Sequence, residues 1–253
     1  MIKIENFEVV GWEHAIRGMR NPMNSWDKSD SNFKETAETA AIDYSENPDG
    51  ELETIFVQFD ALSIGPNDLA LMKKLSKAGT DHRKFMRMID VYVDITAPLY
   101  WWKEFDTYKV GTVANSCSTM HKIHEKEFRL DDFSHEHLLP FNSDGSIDKD
   151  LIMSVKHADA SASYDLLAIV IWYLNYWRHK FLETKDKKYW WQMIQLLPSS
   201  YNQKRTVKLN YEVLANIYKS RKNHKPDEWI DFCKWIETLP YSEIITGEEK
   251  TDG

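Results

Sequence analysis

The chain has 253 residues and a formal net charge of −8, with 42% hydrophobic and 13% aromatic residues. This composition excludes a disordered or fibrous chain and predicts a globular protein with a substantial core. The acidic balance argues against general nucleic-acid binding, because phosphate contacts need clustered lysines and arginines, but it leaves room for a local basic pocket. Cys117 and Cys233 are too few for a disulfide framework, so a reducing compartment fits.

The beginning of the chain carries no sign of export. Residues 1–7 lack a basic region followed by an apolar stretch, so we expect no signal peptide and a cytoplasmic location. The most apolar stretch, residues 166–174, is interrupted by Asn175 and Arg178 before it reaches the length that crosses a bilayer. We therefore predict no transmembrane helix and no membrane partner.

Strand patterns dominate the first part of the chain. β-branched and aromatic residues predict a strand over residues 2–10, and the polar residues 20–32 predict a surface loop. A second strand is predicted over residues 54–59. A helix is predicted from Pro66 to Ala78, because proline suits the first turn and Gly79 stops the helix.

The middle of the chain contains the clearest strand pattern. Residues 88–96 alternate apolar and polar side chains with a period of two, which predicts a strand with one buried face. Pro98 then opens a short aromatic helix, and residues 111–119 predict a strand or turn. Residues 129–160 are acidic and rich in turn formers, which predicts a long loop excursion.

The last part of the chain predicts mostly helices. Apolar residues at three- and four-residue spacing predict helices over 164–182, 188–197, 202–220 and 226–239. A polar tail follows over residues 247–253. Because strands come first and helices later, we predict a single α+β domain over residues 1–246, with a small sheet and a helical C-terminal half.

The sequence lacks the common local signatures of catalysis, so chemistry has to come from groups of residues. A set of four histidines lies near several glutamates, and such a set can bind a divalent metal: His121, His124, His135 and His137. We assign no metal, because the spacings match no familiar ligand set and exposed polar loops often contain the same residues. Cys117 has no recognisable base partner, so an ordinary thiol is favoured over a nucleophile.

An ordered series of residues is more informative. It begins with a helix end at Gly79 and continues through His82, the alternating strand and the aromatic helix to Thr107-Tyr108-Lys109 and Asn115-Ser116-Cys117-Ser118. Its C-terminal part consists of Leu197-Pro198, Asn210, Leu214, Asn216, Arg221 and Trp229. This series resembles the flavin-dependent, or alternative, thymidylate synthases, which use FAD, NADPH and methylene-tetrahydrofolate to methylate dUMP.

The match is stronger in the C-terminal half than in the N-terminal half. In that family a Gly-His turn leads to a strand, a helix ending in Arg-His-Arg and a Ser-x-Asn-Glu-x-Ser-x-Arg-Tyr segment. His82 lies where the turn histidine stands, and Asn115 and Ser118 fall on the family's Asn and second Ser. The C-terminal series matches the family's motifs in order: Leu-Pro, then Asn-x-Arg-x-Leu, then Asn or His, and then Arg. Trp229 matches a family Trp with one residue inserted.

The departures concern charged residues. Arg-His-Arg reads Thr107-Tyr108-Lys109, and the Arg-Tyr pair after the second Ser reads Met120-His121. Glu212 replaces the Arg of Asn-x-Arg, and Glu104 replaces a family Gln. Each lost arginine removes a bidentate anion contact, and we expect two acidic residues in such a pocket to repel dUMP or FAD. The resemblance therefore implies a divergent member and supports the fold more than the activity.

The resemblance also implies roles for individual residues. It implies Arg221 as the catalytic residue, which polarises the ring of dUMP, and as a substrate-binding residue together with Glu104, Ser118 and His121. It implies FAD binding by His82, Tyr108, Lys109, Asn210 and Asn216. NADPH and methylene-tetrahydrofolate are implied only if the family reaction is retained. Structural roles also fit, because either asparagine suits a helix cap or a buried amide and Arg221 suits a helix C-terminus.

Two functions follow from these residues. In the first, the chain binds FAD and a pyrimidine nucleotide and methylates or otherwise modifies the nucleotide. In the second, it is an inactive homologue that acts as an oligomeric binding, regulatory or scaffold protein. Because family members form tetramers that share active sites, we expect a homo-oligomer, and specifically a tetramer. The aromatic runs 100–102 and 189–191 suit subunit contacts or ligand stacking, although core packing is favoured for most of them.

Overall fold

The computed structural model describes residues 2–33, 63–138 and 163–248, together with the backbone of two short strands at 36–38 and 57–59. The strands are β1 (Lys3–Val10), β2 (Thr36–Glu38), β3 (Val57–Phe59), β4 (Asp90–Pro98), β5 (Val113–Ser116) and β6 (Asn202–Asn210). The α-helices are α1 (Trp12–Arg20), α2 (Pro66–Lys77), α3 (Leu99–Phe105), α4 (Ser163–Thr184), α5 (Lys187–Leu196), α6 (Tyr211–Arg221), α7 (Asp227–Thr238) and α8 (Glu243–Thr246). Short 3-10 turns cover residues 21–23, 26–28, 83–88 and 130–132.

A four-stranded antiparallel sheet in the order β1-β4-β6-β5 forms the framework. β4 and β6 pair along their whole length, from Asp90 opposite Asn210 to Pro98 opposite Asn202. One face of β4 is buried in the core, as its alternating sequence predicts. The other face carries ion pairs to β6, such as Lys208 with Asp90 at 2.6 Å. The predicted α+β class is confirmed.

The aromatic helix α3 lies in the main core beside the sheet. Trp101, Trp102 and Phe105 are each 1% exposed. Trp101 packs against Trp229 of α7 with ring centroids 4.7 Å apart. These contacts explain the aromatic run as core packing, and they fix the relative positions of α3 and α7.

A second, smaller hydrophobic cluster joins α4 and α5 to residues 120–138. Phe133, Leu174 and Met193 are its most deeply buried members. Several aromatic side chains on the same two helices remain exposed: Trp172, Tyr173, Tyr176 and Trp191. Among the residues described, no helix combines the length and the apolar character needed to cross a membrane.

The prediction of one helix over residues 202–220 is wrong. Residues 202–210 form the central strand β6, and only residues 211–221 are helical. Val207 and Leu209 are fully buried and alternate with exposed Thr206 and half-buried Lys208, so the true period in this segment is two. The strand changes to a helix at Asn210, which is a preferred residue for a helix start.

The segment before residue 32 is more ordered than predicted. Residues 12–20, for which no helix was predicted, form α1, and its buried residues Trp12, Ala15, Ile16 and Met19 follow helical spacing. Arg20 was assigned to a surface loop but is 4% exposed and hydrogen-bonded to Asp68 of α2. Two 3-10 turns follow it.

The other predicted elements can be compared where the structure describes them. Six predicted elements are confirmed to within a few residues: the strand over 2–10, the helix from Pro66, the helix after Pro98, and the helices over 164–182, 188–197 and 226–239. The predicted strand over 54–59 is present at 57–59 and pairs with β2. Residues 54–56, 139–160 and 249–253 lie outside the described ranges, and the single-domain assignment stays a prediction.

Candidate functional site

Arg221, the last residue of α6, lies at the centre of a polar cluster. Its Nη1 donates a hydrogen bond to Oε2 of Glu104 at 2.7 Å, and its Nε donates to the hydroxyl of Tyr108 at 2.9 Å. The guanidinium carbon lies 4.8 Å from the ring centroid of Trp229, which also donates to Glu104 at 2.8 Å. The side chain of Arg221 is 18% exposed, so these charged contacts are partly shielded from water.

His224 gives Arg221 a third partner. The distance between Arg221 Nη1 and His224 Nε2 is 2.8 Å. Because a guanidinium has only donors, Nε2 must accept, and a neutral imidazole then carries its hydrogen on Nδ1. Nδ1 is buried and has no hydrogen-bond partner among the described residues. A buried donor without a partner is unusual in a folded protein.

The core fixes the geometry of this cluster. Glu104 lies on α3, and Tyr108 follows that helix directly. Trp229 lies in the first turn of α7, where its ring packs against Trp101. Because α3 and α7 are joined by buried rings, the partners of Arg221 are held by packed elements rather than by loops alone.

Glu104 compensates the positive charge of Arg221. The carboxylate accepts hydrogen bonds from both Arg221 and Trp229. Its negative charge is therefore paired, although the sequence led us to expect that it would repel an anionic ligand. The Nε and Nη1 donors of Arg221 are engaged, and its Nη2 group has no hydrogen bond within the described residues. Arg221 therefore retains one pair of donors for a further acceptor.

A second charged cluster contains Glu212, which the sequence resemblance aligns with an arginine. Arg87 contacts both carboxylate oxygens of Glu212, and Arg83 donates from Nε to Oε1 at 3.3 Å. Arg83 also donates to Oδ1 of Asn216 at 2.8 Å. The hydrogen bonds and the charge of Glu212 raise the pKa of Arg87. Two arginines around one carboxylate give the cluster a net positive charge. The cluster therefore attracts anions, whereas Glu212 alone was expected to repel them.

Sequence reasoning missed Arg83 and Arg87. They belong to the 3-10 turn that follows His82, four residues apart, and they contact a helix about 130 positions later. The available signal was their position beside the turn histidine. Their pairing with Glu212 was not visible, because it depends on how the turn packs against α6.

The two clusters lie on different flanks of α6. Asn216 and Arg221 are five positions apart, which separates their side chains by about 140° around a helix. Asn216 contacts Arg83, whereas Arg221 contacts α3 and the residues after it. The described contacts thus bring Arg221, Glu104 and Tyr108 together but do not bring Asn216 to them.

Comparison with solved structures identifies the fold. The flavin-dependent thymidylate synthase ThyX from Helicobacter pylori, crystallised with FAD and dUMP, is 15% identical, with 98% of each chain covered and a TM-score of 0.60. This chain has the fold of the flavin-dependent thymidylate synthases. The UMP/dUMP methylase PolB from Streptomyces cacaoi, bound with 5-Br dUMP, is 12% identical. The alignment includes 100% of this chain and 97% of the PolB chain, with a TM-score of 0.52.

The likeness is one of structure rather than sequence. No family model matches the chain, and no curated protein matches it in sequence. The resemblance in fold that the ordered series implied is confirmed. At these identities the likeness establishes the thymidylate synthase fold and not its chemistry.

Asn210 has a structural role in this thymidylate synthase fold. Its Oδ1 accepts from the backbone N–H of Val213 at 3.1 Å, which caps α6. Gly111 lies against the other side of the amide at φ +82°, and a Cβ there would be 2.5 Å from Asn210 Nδ2. The amide is therefore packed between a helix start and a glycine, as the capping alternative predicted.

The remaining site residues expected from the resemblance are exposed. Ser118 Oγ accepts from the backbone N–H groups of Met120 and His121, which makes a local turn. His82 and Lys109 lie in exposed turns near the arginine-rich 3-10 turn and Tyr108 respectively. No described hydrogen bond joins these residues to Arg221.

The histidines and cysteines form no shared centre in the described residues. No group of three or more His, Cys, Asp or Glu side chains there is arranged to hold a metal ion. His124 packs against Phe181, and His137 pairs with Asp227 at 2.9 Å. Burial raises the pKa of Cys233 to about 11, which keeps this thiol protonated, and Cys117 is exposed.

Proposed function

We propose that this chain binds a pyrimidine nucleotide, with FAD beside it, at a site centred on Arg221. The observation that supports this most is the guanidinium of Arg221, held by Glu104, Tyr108 and His224 over the ring of Trp229. Solved proteins with this fold include one crystallised with FAD and dUMP and one bound with 5-Br dUMP. The sequence position of Arg221 matches the arginine that polarises dUMP in the family reaction.

The chain's own residues suit this role. The Nη2 donors of Arg221 would bind a ring carbonyl and stabilise negative charge that develops on it. Trp229 and Tyr108 shield the guanidinium from water, which strengthens such a contact. Ser118 and His121 would bind the remainder of the nucleotide. When bound and reduced by NADPH, the flavin would supply hydride, and no protein nucleophile is required.

The donor set also fits an anionic flavin cofactor. Arg83 and Arg87 each keep an Nη1 group without a hydrogen bond among the described residues. Together with His82 they would supply cations on the Asn216 flank of α6, in place of those that Thr107-Tyr108-Lys109 lacks relative to Arg-His-Arg, and Lys109 would add the one cation that this segment keeps. Asn216 would hold the flavin through its amide nitrogen, since its oxygen is engaged by Arg83. NADPH and methylene-tetrahydrofolate would be needed only for the complete family reaction.

A second candidate function is nucleotide binding without the reaction. The observation that favours it is Glu104, which engages Arg221 and neutralises the charge that would polarise a substrate. The exposed aromatic side chains on α4 and α5 suit subunit contacts, so this candidate is a cytoplasmic homo-oligomer, a tetramer by analogy with the family.

Purified protein tests the proposal by flavin absorption and by calorimetric titration with dUMP. We expect FAD uptake, dUMP binding, and a loss of dUMP affinity of at least about tenfold in Arg221→Ala, the size of one charge-assisted contact. Lys234→Ala is the matched control, because Lys234 is an exposed cation on α7 whose ion pair with Asp231 lies outside the cluster. A protein that binds neither FAD nor dUMP would contradict the proposal.

Growth separates the two candidates. In a bacterium that lacks thymidylate synthase, rescue of thymidine auxotrophy by the wild type but not by Arg221→Ala supports the enzyme. Failure to rescue, combined with retained dUMP binding, supports the binding protein.

A further inference from the structure

A separate cationic cleft of about 200 Å³ lies on the other side of α6. It is formed by the end of α2, the 3-10 turn at 83–88, α6 and the end of α8. Four of its lining side chains are positively charged: Lys77, Arg83, Lys219 and Lys222. Ala215, Ile244 and Ile245 supply apolar wall, and the hydroxyl-bearing residues Ser76 and Thr246 lie at its border.

The cleft faces away from the Arg221 cluster. Ala215, Tyr218 and Lys219 of α6 and Lys222, which caps its C-terminal end, follow helical spacing and share one face of the helix. Arg221 is one position before Lys222, so its side chain is turned by about 100° from that residue. None of Glu104, Tyr108 and His224 is among the residues that line the cleft.

The positive charge of the cleft is only partly compensated. Glu248 pairs with Lys222 at 3.1 Å, and Glu212 takes a hydrogen bond from Arg83 at 3.3 Å. Glu237 also approaches the cleft, but it accepts from the hydroxyl of Tyr218. Lys77 and Lys219 are exposed and pair with no acid within the described part of the chain. The protein as a whole is acidic, so this concentration of cations is not a consequence of composition.

Helix dipoles explain only part of this arrangement. A lysine in the last turn of a helix offsets the partial negative charge of the carbonyl end. That reason applies to Lys77 on α2 and to Lys219 and Lys222 on α6 taken one helix at a time. The helix dipoles do not explain why the cations of two helix ends line the same cleft. They also do not explain why Arg83, which lies in a separate turn, lines it too.

We propose that this cleft binds a phosphate-class oxyanion. Two uncompensated lysines and the free donors of Arg83 supply the charge and the hydrogen bonds that a phosphate or pyrophosphate group requires. The volume suits such a group and is smaller than the cavities of about 300 Å³ or more that enclose whole drug-sized ligands. The cleft contains none of the contacts of Arg221, but it shares Arg83 with the residues proposed above to hold FAD, so Lys77 and Lys219 are the residues that distinguish it.

Titration calorimetry with inorganic pyrophosphate tests this proposal on the full-length chain. We expect saturable binding that weakens as salt rises, because the contacts are ionic. The double variant Lys77→Glu, Lys219→Glu should weaken binding by at least about tenfold, the effect of losing a charge-assisted contact. Lys234→Glu reverses a cation elsewhere on the surface and should leave binding unchanged.

Further probes identify the source of the oxyanion and the independence of the site. Similar affinities for ADP and pyrophosphate would support recognition of the terminal phosphates of a larger molecule, and a preference for pyrophosphate would support a free anion. Arg221→Ala should not change pyrophosphate binding. The proposal is overturned if pyrophosphate fails to bind, or if the lysine variant folds with an unchanged far-ultraviolet spectrum and binds as well as the wild type.

Discussion

The carboxylate of Glu104 sets the charge that Arg221 presents to a ligand. Glu104→Gln removes this negative charge and keeps an oxygen that can accept from Arg221 and Trp229. We expect dUMP to bind up to about tenfold more tightly, since a carboxylate beside the site no longer opposes the phosphate or competes for the guanidinium. Calorimetric titration measures the change, with Asp231→Asn on α7 as the control. Unchanged or weaker binding would show that Glu104 does not limit anion binding.

At the residue scale, sequence spacing found only part of the site. Arg221, Glu104 and Tyr108 were named from the ordered series, and the structure places them in hydrogen-bond contact. His224 and the arginines of the 3-10 turn were missed. These residues were missed because their contacts are tertiary, and spacing along the chain does not show which distant side chains come into contact. The role of Asn210 as a cap was visible as one of two alternatives, because asparagine is common at helix starts.

At the element scale, a buried ion pair ties α1 to α2. Arg20 Nε donates to Asp68 at 2.6 Å, and Asp68 also accepts from the hydroxyls of Ser29 and Ser31. Burial raises the pKa of Asp68, but the hydrogen bonds from Ser31, Ser29 and Arg20 outweigh it and leave the pKa lowered. Because the folded pKa lies below the unfolded one, this carboxylate stabilises the fold above the unfolded pKa, and the stabilisation is lost as pH falls through the folded pKa.

We expect Asp68→Asn to destabilise the protein by about 3 to 5 kcal/mol at pH 7, the usual effect of leaving one buried charge without its partner. Its stability should also fall less than that of the wild type as pH drops below about 4, the ordinary pKa of an aspartate. Urea unfolding at a series of pH values measures both effects. Asp231→Asn, on the exposed surface of α7, should change stability by less than about 0.5 kcal/mol. Parallel pH profiles for wild type and Asp68→Asn would contradict this account.

Element prediction succeeded where one signal dominated and failed where two competed. β4 alternates without interruption, and its assignment is confirmed. In residues 202–220, the helical spacing of α6 was extended backwards over β6, although Val207 and Leu209 alternate with lysine and threonine. Lysine and glutamine suit helices, so propensity hid the short alternation, and pairing with β4 decided the outcome.

At the scale of the whole molecule, the fold is shared with solved structures at only 12% to 15% sequence identity. The sheet and the buried aromatic helix need only apolar side chains of suitable size, which many sequences supply. The charged residues depart from the family pattern that the sequence resembles: Glu212 stands where that pattern has an arginine, and Arg83 and Arg87 surround it. Most elements apart from α1 and β6 were therefore predictable from sequence, whereas the charge of the candidate site was not.

Binding of a pyrimidine nucleotide beside Arg221 can be measured by amide hydrogen exchange with and without dUMP. We expect dUMP to slow exchange in the exposed residues 106–121 and in the turn at 222–226, which contain or adjoin Tyr108, Ser118 and Arg221. Helix α4 serves as the internal control and should not change. Slowed exchange confined to α4, or no change anywhere under saturating dUMP, would contradict the account.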